Sequence, residues 1–352
     1  MAIFYAFLVY FFFPFSYASS LSITEEWGKD SDPLRMGKNL EARFFALPLH
    51  GQVAHSRKFW SGDYWPLNKG NINFRWHADR NFMLNSPTLE ELRRLRQQDI
   101  AQLSPAEKFD LLNGRYDYPL KREVLKIANL NAKNWEGICH GWAPAAINHN
   151  EPTPKVLINP EGIQIPFGSS DIKAILSYYY AYPYKVQDTH QVGRRCYNSR
   201  VTVDNDCRHD LNAGAFHLIL ANKIALENEG FIADLSRYKE VWNHPIKSYQ
   251  SRVISEARGR RRNSAPGTTR TVRVSTRIKY ADETSNDWNT VQGTSLQRIN
   301  STEFSYILEI DIYGQIIGGE WSSIRRPDFL WTMEKPTKFL RDFARLAELL
   351  ND

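Results

Sequence analysis

The chain has 352 residues, 42% of them hydrophobic and 24% charged, a globular composition that excludes a disordered or collagen-like polymer. Its net charge of +6 is too small over this length to point to nucleic acid as a partner. Aromatic residues reach 13%, enough for a core or an aromatic-walled groove, and three cysteines leave one thiol over if the other two pair.

The first apolar run, Ala2 to Tyr17, is uncharged and too short to span a bilayer. Ser16-Tyr17-Ala18 places small residues where a signal peptidase reads, so residues 1–18 are expected to be a signal peptide. The mature chain is then secreted, to the extracellular space or the cell surface, with no integral membrane segment. Residues 19 to about 100 are loop-rich, with an aromatic cluster from Phe59 to Pro66. Thr88-Leu89-Glu90-Glu91 and Ser104-Pro105-Ala106-Glu107 are capping boxes that predict helices after them. A further helix is expected from Cys139, with Pro144 in its first turn and Gly137 and Gly141 leaving room for a substrate chain. VLINPEGIQIPF predicts a hairpin turning at Pro160-Glu161-Gly162, and Ser170 caps a helix that stops before Pro183.

Ala215 to Leu226 is nearly continuous apolar sequence, a buried strand or a short buried helix. GFIADLS predicts a short strand, Arg270 to Tyr280 a half-buried one, and Tyr306 to Trp321 a hairpin turning at Tyr313-Gly314. SRVISEARGRRRNSAPGTTR is the one charge run and is expected to be a solvated basic loop. The chain ends on an amphipathic helix with Phe339, Leu340, Phe343, Leu346 and Leu350 on one face. There is no internal repeat and little βαβ alternation, so the fold class is α+β. Residues 19–352 are expected to form a single large domain: a helical and aromatic part at 19–128, a catalytic core at 129–250, and strands with a terminal helix at 265–352.

Three features bear on chemistry. Cys196 and Cys207 lie eleven residues apart in a polar stretch, and a bridge between them would contribute on the order of 3 kcal/mol. That leaves Cys139 free at a helix N-terminus, where a thiol is activated when an imidazole stands beside it. His217, heading the apolar run HLILA, is the expected base, and Asp234 the group that orients it; the order Cys, His, Asp is a thiol acyl-transferase pattern. His140 points away from its neighbour's sulfur on a helix, and His209 and His244 are weaker alternatives. Asp204, Asp206 and Asp210 lack the glycine and the terminal Glu of a calcium loop, so metal ligands stay unassigned. Asn300-Ser301-Thr302 is the one glycosylation acceptor sequence.

Several blocks together resemble the transglutaminase elicitor family, the cell-wall transglutaminases of oomycetes with bacterial relatives. NWEGICHGWAPAAI is similar to its nucleophile segment and DLNAGAFHLILANKIAL to its histidine segment. VWNHPIKSY resembles the start of the surface peptide that plants recognise, with Trp242 and Pro245 as the shared residues and His244 in place of Gln. GDYWP, INFRW, LSPAEKFDLL, GQIIGGEW and RPDFLW resemble further blocks. The resemblance implies a distantly papain-like fold and a calcium-dependent protein-glutamine γ-glutamyltransferase that joins protein glutamine to lysine or a polyamine. Cys139 is then expected to form the thioester, with Trp65, Trp135, Trp142 and Trp242 near the substrate. One alternative is a cysteine protease or glutamine deamidase with the same triad. The other is a non-catalytic secreted protein that binds a receptor through an exposed VWNHPI segment.

Overall fold

The computed structural model describes residues 27–350 apart from 56–57, 79–81, 185–188 and 197–210. The expected signal peptide, Cys207, His209 and the three aspartates at 204, 206 and 210 lie outside the described residues.

From residue 27 to residue 78 the described chain has six single 3-10 turns and one short strand, β1 (His50–Gln52). The two capping boxes form as expected. Thr88 starts α1 (Leu89–Leu92), and Ser104 starts α3 (Pro105–Leu112), where Glu107 N–H donates to Ser104 Oγ and Ser104 N–H to Glu107 Oε2. The sequence from Leu89 to Leu103 does not make one continuous helix. It breaks after one turn and resumes as α2 (Gln97–Ile100), because Leu92 and Ile100 are its only buried helical residues and neither turn has a second apolar anchor. Next come α4 (Pro119–Ile127), α5 (Cys139–Asn148), the hairpin β2 (Lys155–Ile158) and β3 (Gln164–Phe167), and α6 (Ser169–Ala181). All of α6 but its last residue is buried.

Eight strands form an antiparallel sheet. They are β1, β4 (His190–Gly193), β5 (Phe231–Asp234), β6 (Asn243–Arg258), β7 (Arg270–Ala281), β8 (Ile299–Ile310), β9 (Ile316–Trp321) and β10 (Phe329–Thr332). Their order is β4-β10-β5-β6-β7-β8-β9, and β1 pairs with β6 beyond the end of β5. The α5 and α6 helices pack on each other, and α5 also rests on β5 and β6. The segment from Ala215 adopts the helical alternative, α7 (Ala213–Ile219), continued by a wider turn over Leu220–Leu226, and α7 lies on β8 and β9. Asn212 caps it by accepting from Gly214 N–H at 2.8 Å.

Three expectations change. The basic run is not all loop: its first half is the outer end of β6, whose backbone pairs with β7 as far as Arg258–Arg270. VWNHPI is not an exposed segment, since Asn243, Pro245 and Ile246 are buried where β6 begins. The terminal amphipathic helix shortens to a 3-10 turn at Arg341–Phe343 and α8 (Leu346–Leu349); Phe343 and Leu346 of the expected apolar face are buried, while Leu340 is exposed and Leu349 is buried instead.

Candidate active site

Cys139 is the first residue of α5, so its thiol lies at the positive end of the helix. The entry is fixed by Ile138 N–H donating to the Tyr64 carbonyl at 2.6 Å. The flanking glycines serve the protein's own backbone and not a substrate. A Cβ at Gly137 would meet the Tyr64 carbonyl oxygen at 2.4 Å, and one at Gly141 would meet the Ser177 carbonyl oxygen of α6 at 2.0 Å. Pro144 falls in the helix interior, where its missing N–H leaves the His140 carbonyl without its intrahelical bond.

The thiol is free and buried. Its Sγ lies 3.7 Å from the Val241 carbonyl, to which S–H donates, and 3.4 Å from Asn243 Nδ2, from which it accepts. The amide is itself held, because Trp331 Nε1 donates to Asn243 Oδ1 at 2.8 Å and so turns Nδ2 toward the sulfur. Asn243 at the start of β6 is paired in register with Asp234 at the end of β5. Burial raises the thiol pKa above its ordinary value, the Asn243 hydrogen bonds oppose this, and the charges of Glu283 and Asp234 reinforce it. The resting sulfur is therefore a neutral thiol at neutral pH.

Asp234 is buried, and desolvation lifts its carboxyl well above the usual range, with the charge of Asp328 adding to the effect. Its Oδ1 accepts from Ser236 N–H at 3.2 Å, while Oδ2 is buried with no hydrogen-bond partner. The charge of Asp234 acts on the Cys139 thiol, but His217 interacts with neither residue. The His217 ring is fully buried on α7, and its Nδ1 lies 2.8 Å from Tyr306 Oη. That hydroxyl bonds to Thr276 Oγ1 at 2.6 Å, which bonds to Ser251 Oγ at 2.8 Å. Burial alone pushes the His217 pKa down to about 4, with no contribution from Cys139 or Asp234. The expected triad is not assembled, because the apolar run carries His217 on a helix over β8 and β9 and not on a strand beside Asp234. His140 faces Tyr182, with ring centroids 6.1 Å apart.

The tryptophans divide. Trp65 and Trp142 are fully buried, and Trp135 is half-buried on the loop before Cys139. Trp242 is half-buried and packs edge-on against Tyr64 at 5.2 Å, and the Tyr64 carbonyl accepts from the N–H of Ile138, just before Cys139. Tyr64, Trp242 and Trp331 are therefore the aromatic groups tied to the thiol's surroundings. Neither Tyr64 nor Trp331 was singled out from sequence, and neither was Asn243. A large cavity of about 780 Å³ lies elsewhere, lined by Pro144, Ile147 and Asn148 from the far part of α5 and by Phe231 and Thr332, without Cys139.

Two other expected sites are partly visible. Cys196 is buried and its N–H donates to Asp328 Oδ2 at 2.7 Å; with Cys207 outside the described residues, the bridge stays an expectation. Asn300 is exposed at the start of β8, and its amide donates to Asp282 Oδ2. Among the described residues, one group gathers ligand atoms for a metal: His244, Asp282 and Glu283. Calcium takes six to eight oxygens, and a set of one imidazole and two carboxylates does not fit it.

The family model described as transglutaminase elicitor matches residues 122–339, a span that contains Cys139, His217, Asp234, Asn243 and Trp331. The crystal structure of the GP42 transglutaminase from Phytophthora sojae is similar in fold, with a TM-score of 0.68 over 92% of this chain and 97% of that one, at 22% identity. No curated protein matches the chain. Since the matched span exceeds half of its length, this chain belongs to the transglutaminase elicitor family.

Proposed function

We propose that the protein is a secreted protein-glutamine γ-glutamyltransferase with Cys139 as nucleophile, in a distantly papain-like arrangement of a thiol at a helix start beside a sheet. The observation that carries this reading is the buried free thiol at the head of α5, held between the Asn243 amide and the Val241 carbonyl, in a chain of this family. Cys139 Sγ attacks the γ-carboxamide carbon of a protein glutamine. The oxyanion that forms is held by the Cys139 backbone N–H and by Asn243 Nδ2, a donor kept in position by Trp331. The thiol proton passes to the departing nitrogen, which leaves as ammonia. A lysine or polyamine amine then attacks the thioester carbon, and its proton returns to sulfur as the isopeptide bond forms. The aromatic pair Tyr64 and Trp242, next to the residues that hold the thiol, favours an aliphatic amine over water. His217 has no part in these steps, and no step is assigned to calcium.

The test is incorporation of a labelled primary amine into casein, with and without calcium. The reading predicts incorporation that is lost in Cys139→Ala. Ammonia release without incorporation would make the protein a deamidase, new peptide ends a protease, and inactivity under every condition a binding protein.

A further inference from the structure

We propose that His244, Asp282 and Glu283 form a binding site for a divalent transition cation of the zinc class, beside the thiol. His244 is the second residue of β6, and Asp282 and Glu283 directly follow β7, so the β6–β7 pairing fixes the three against one another. Their ligand atoms all lie within 4.8 Å of one another. Zinc bonds nitrogen and oxygen at roughly 2.0–2.2 Å in a tetrahedron, which places neighbouring ligands about 3.4 Å apart. His244 Nδ1 and Asp282 Oδ1 already stand at 3.6 Å, near that spacing.

Two independent observations point to a ligand. His244 Nδ1 is buried without a hydrogen-bond partner, although its side chain is only 11% exposed. Glu283 Oε1 is buried and unpartnered as well. The remaining atoms are held as ligand supports usually are. Asp282 Oδ1 accepts from Glu283 N–H at 3.0 Å and Oδ2 accepts from Asn300, while the Ala281 carbonyl interacts with the His244 ring. An imidazole with two carboxylates suits a borderline ion, and calcium would leave the imidazole nitrogen poorly used.

Calorimetric titration of the mature protein with zinc chloride tests this, with calcium chloride as competitor. One equivalent of zinc is expected, not displaced by excess calcium. His244→Gln and Glu283→Gln are each expected to weaken it about tenfold or more, whereas Cys139→Ala binds as the wild type does. Anomalous diffraction at the zinc edge from soaked wild-type crystals needs no variant, and is expected to place the ion at His244 Nδ1. The proposal is overturned by no bound zinc, by zinc unaffected in both Gln variants, by loss in Cys139→Ala, by displacement with calcium, or by a peak elsewhere.

Discussion

A single side-chain amide carries much of the chemistry. Asn243 Nδ2 is aimed at the sulfur only because Trp331 Nε1 occupies its carbonyl. Asn243→Ala is therefore expected to lower kcat for amine incorporation by about 100- to 1,000-fold, the usual effect of losing one oxyanion donor, with KM little changed. Trp331→Phe keeps an aromatic side chain but loses the indole N–H that holds the Asn243 amide, so its loss in kcat should be smaller and of the same kind. Asn243 was not legible from the sequence, since an Asn after a Trp carries no pattern; its role depends on a partner 88 positions away. His217 shows the opposite error. Its sequence setting suggested a catalytic base, yet it is a buried neutral ring with a folded pKa of about 4 against an ordinary 6.5. Below pH 6.5 the unfolded chain takes up a proton that the native ring refuses. Stability should therefore fall from pH 6.5 down to about 4, by on the order of 3 kcal/mol. Urea unfolding across that window should show the slope, and His217→Gln should flatten it without raising the thiol's reactivity.

Elements were legible where a local signal decides them. Ser104 with Glu107 fixed the start of α3, and Gly162 at φ 79° fits the turn expected between β2 and β3. The helix from Cys139 was legible too, although the purpose of its glycines was not. Gly141→Ala would drive a Cβ into the Ser177 carbonyl of α6, and is expected to cost about 1–3 kcal/mol, read as a lowered Tm together with lost activity. Longer-range pairing decided the remaining elements. An apolar run around His217 fits strand or helix equally well by periodicity; the Asn212 cap favours the helix. The outer half of β6 carries Arg252, Glu256 and Arg258, charges that locally predict a loop, and only its pairing with β7 makes it strand.

The whole molecule reads as mixed helix and antiparallel sheet, as its composition and pattern implied. What the sequence could not reveal is how the helices are bound to one another by buried charge. Lys108 and Asp171 are both fully buried and 2.6 Å apart, and Lys173 meets Glu151 at 2.5 Å. Glu107 receives Arg75 at 2.6 Å and Lys121 at 2.8 Å. Burial alone would raise the Glu107 pKa, but the two cations bring it from 4.5 to about 2. A depressed carboxyl stabilises the fold above pH 4.5, and that contribution is lost as pH falls through about 2. Glu107→Gln should thus cost about 3 kcal/mol at neutral pH, at the lower end for one partner removed from a buried pair, and should remove that part of the acid dependence in a pH series of thermal melts. The central claim, that Cys139 carries the acyl group, is tested most directly by trapping the intermediate. The protein is incubated with a glutamine peptide without amine, quenched in acid and analysed by mass spectrometry. The account predicts an adduct on the peptide containing Cys139, equal to the substrate mass less ammonia and released by added amine. An adduct on another residue, or amine incorporation that persists in Cys139→Ala, would contradict it.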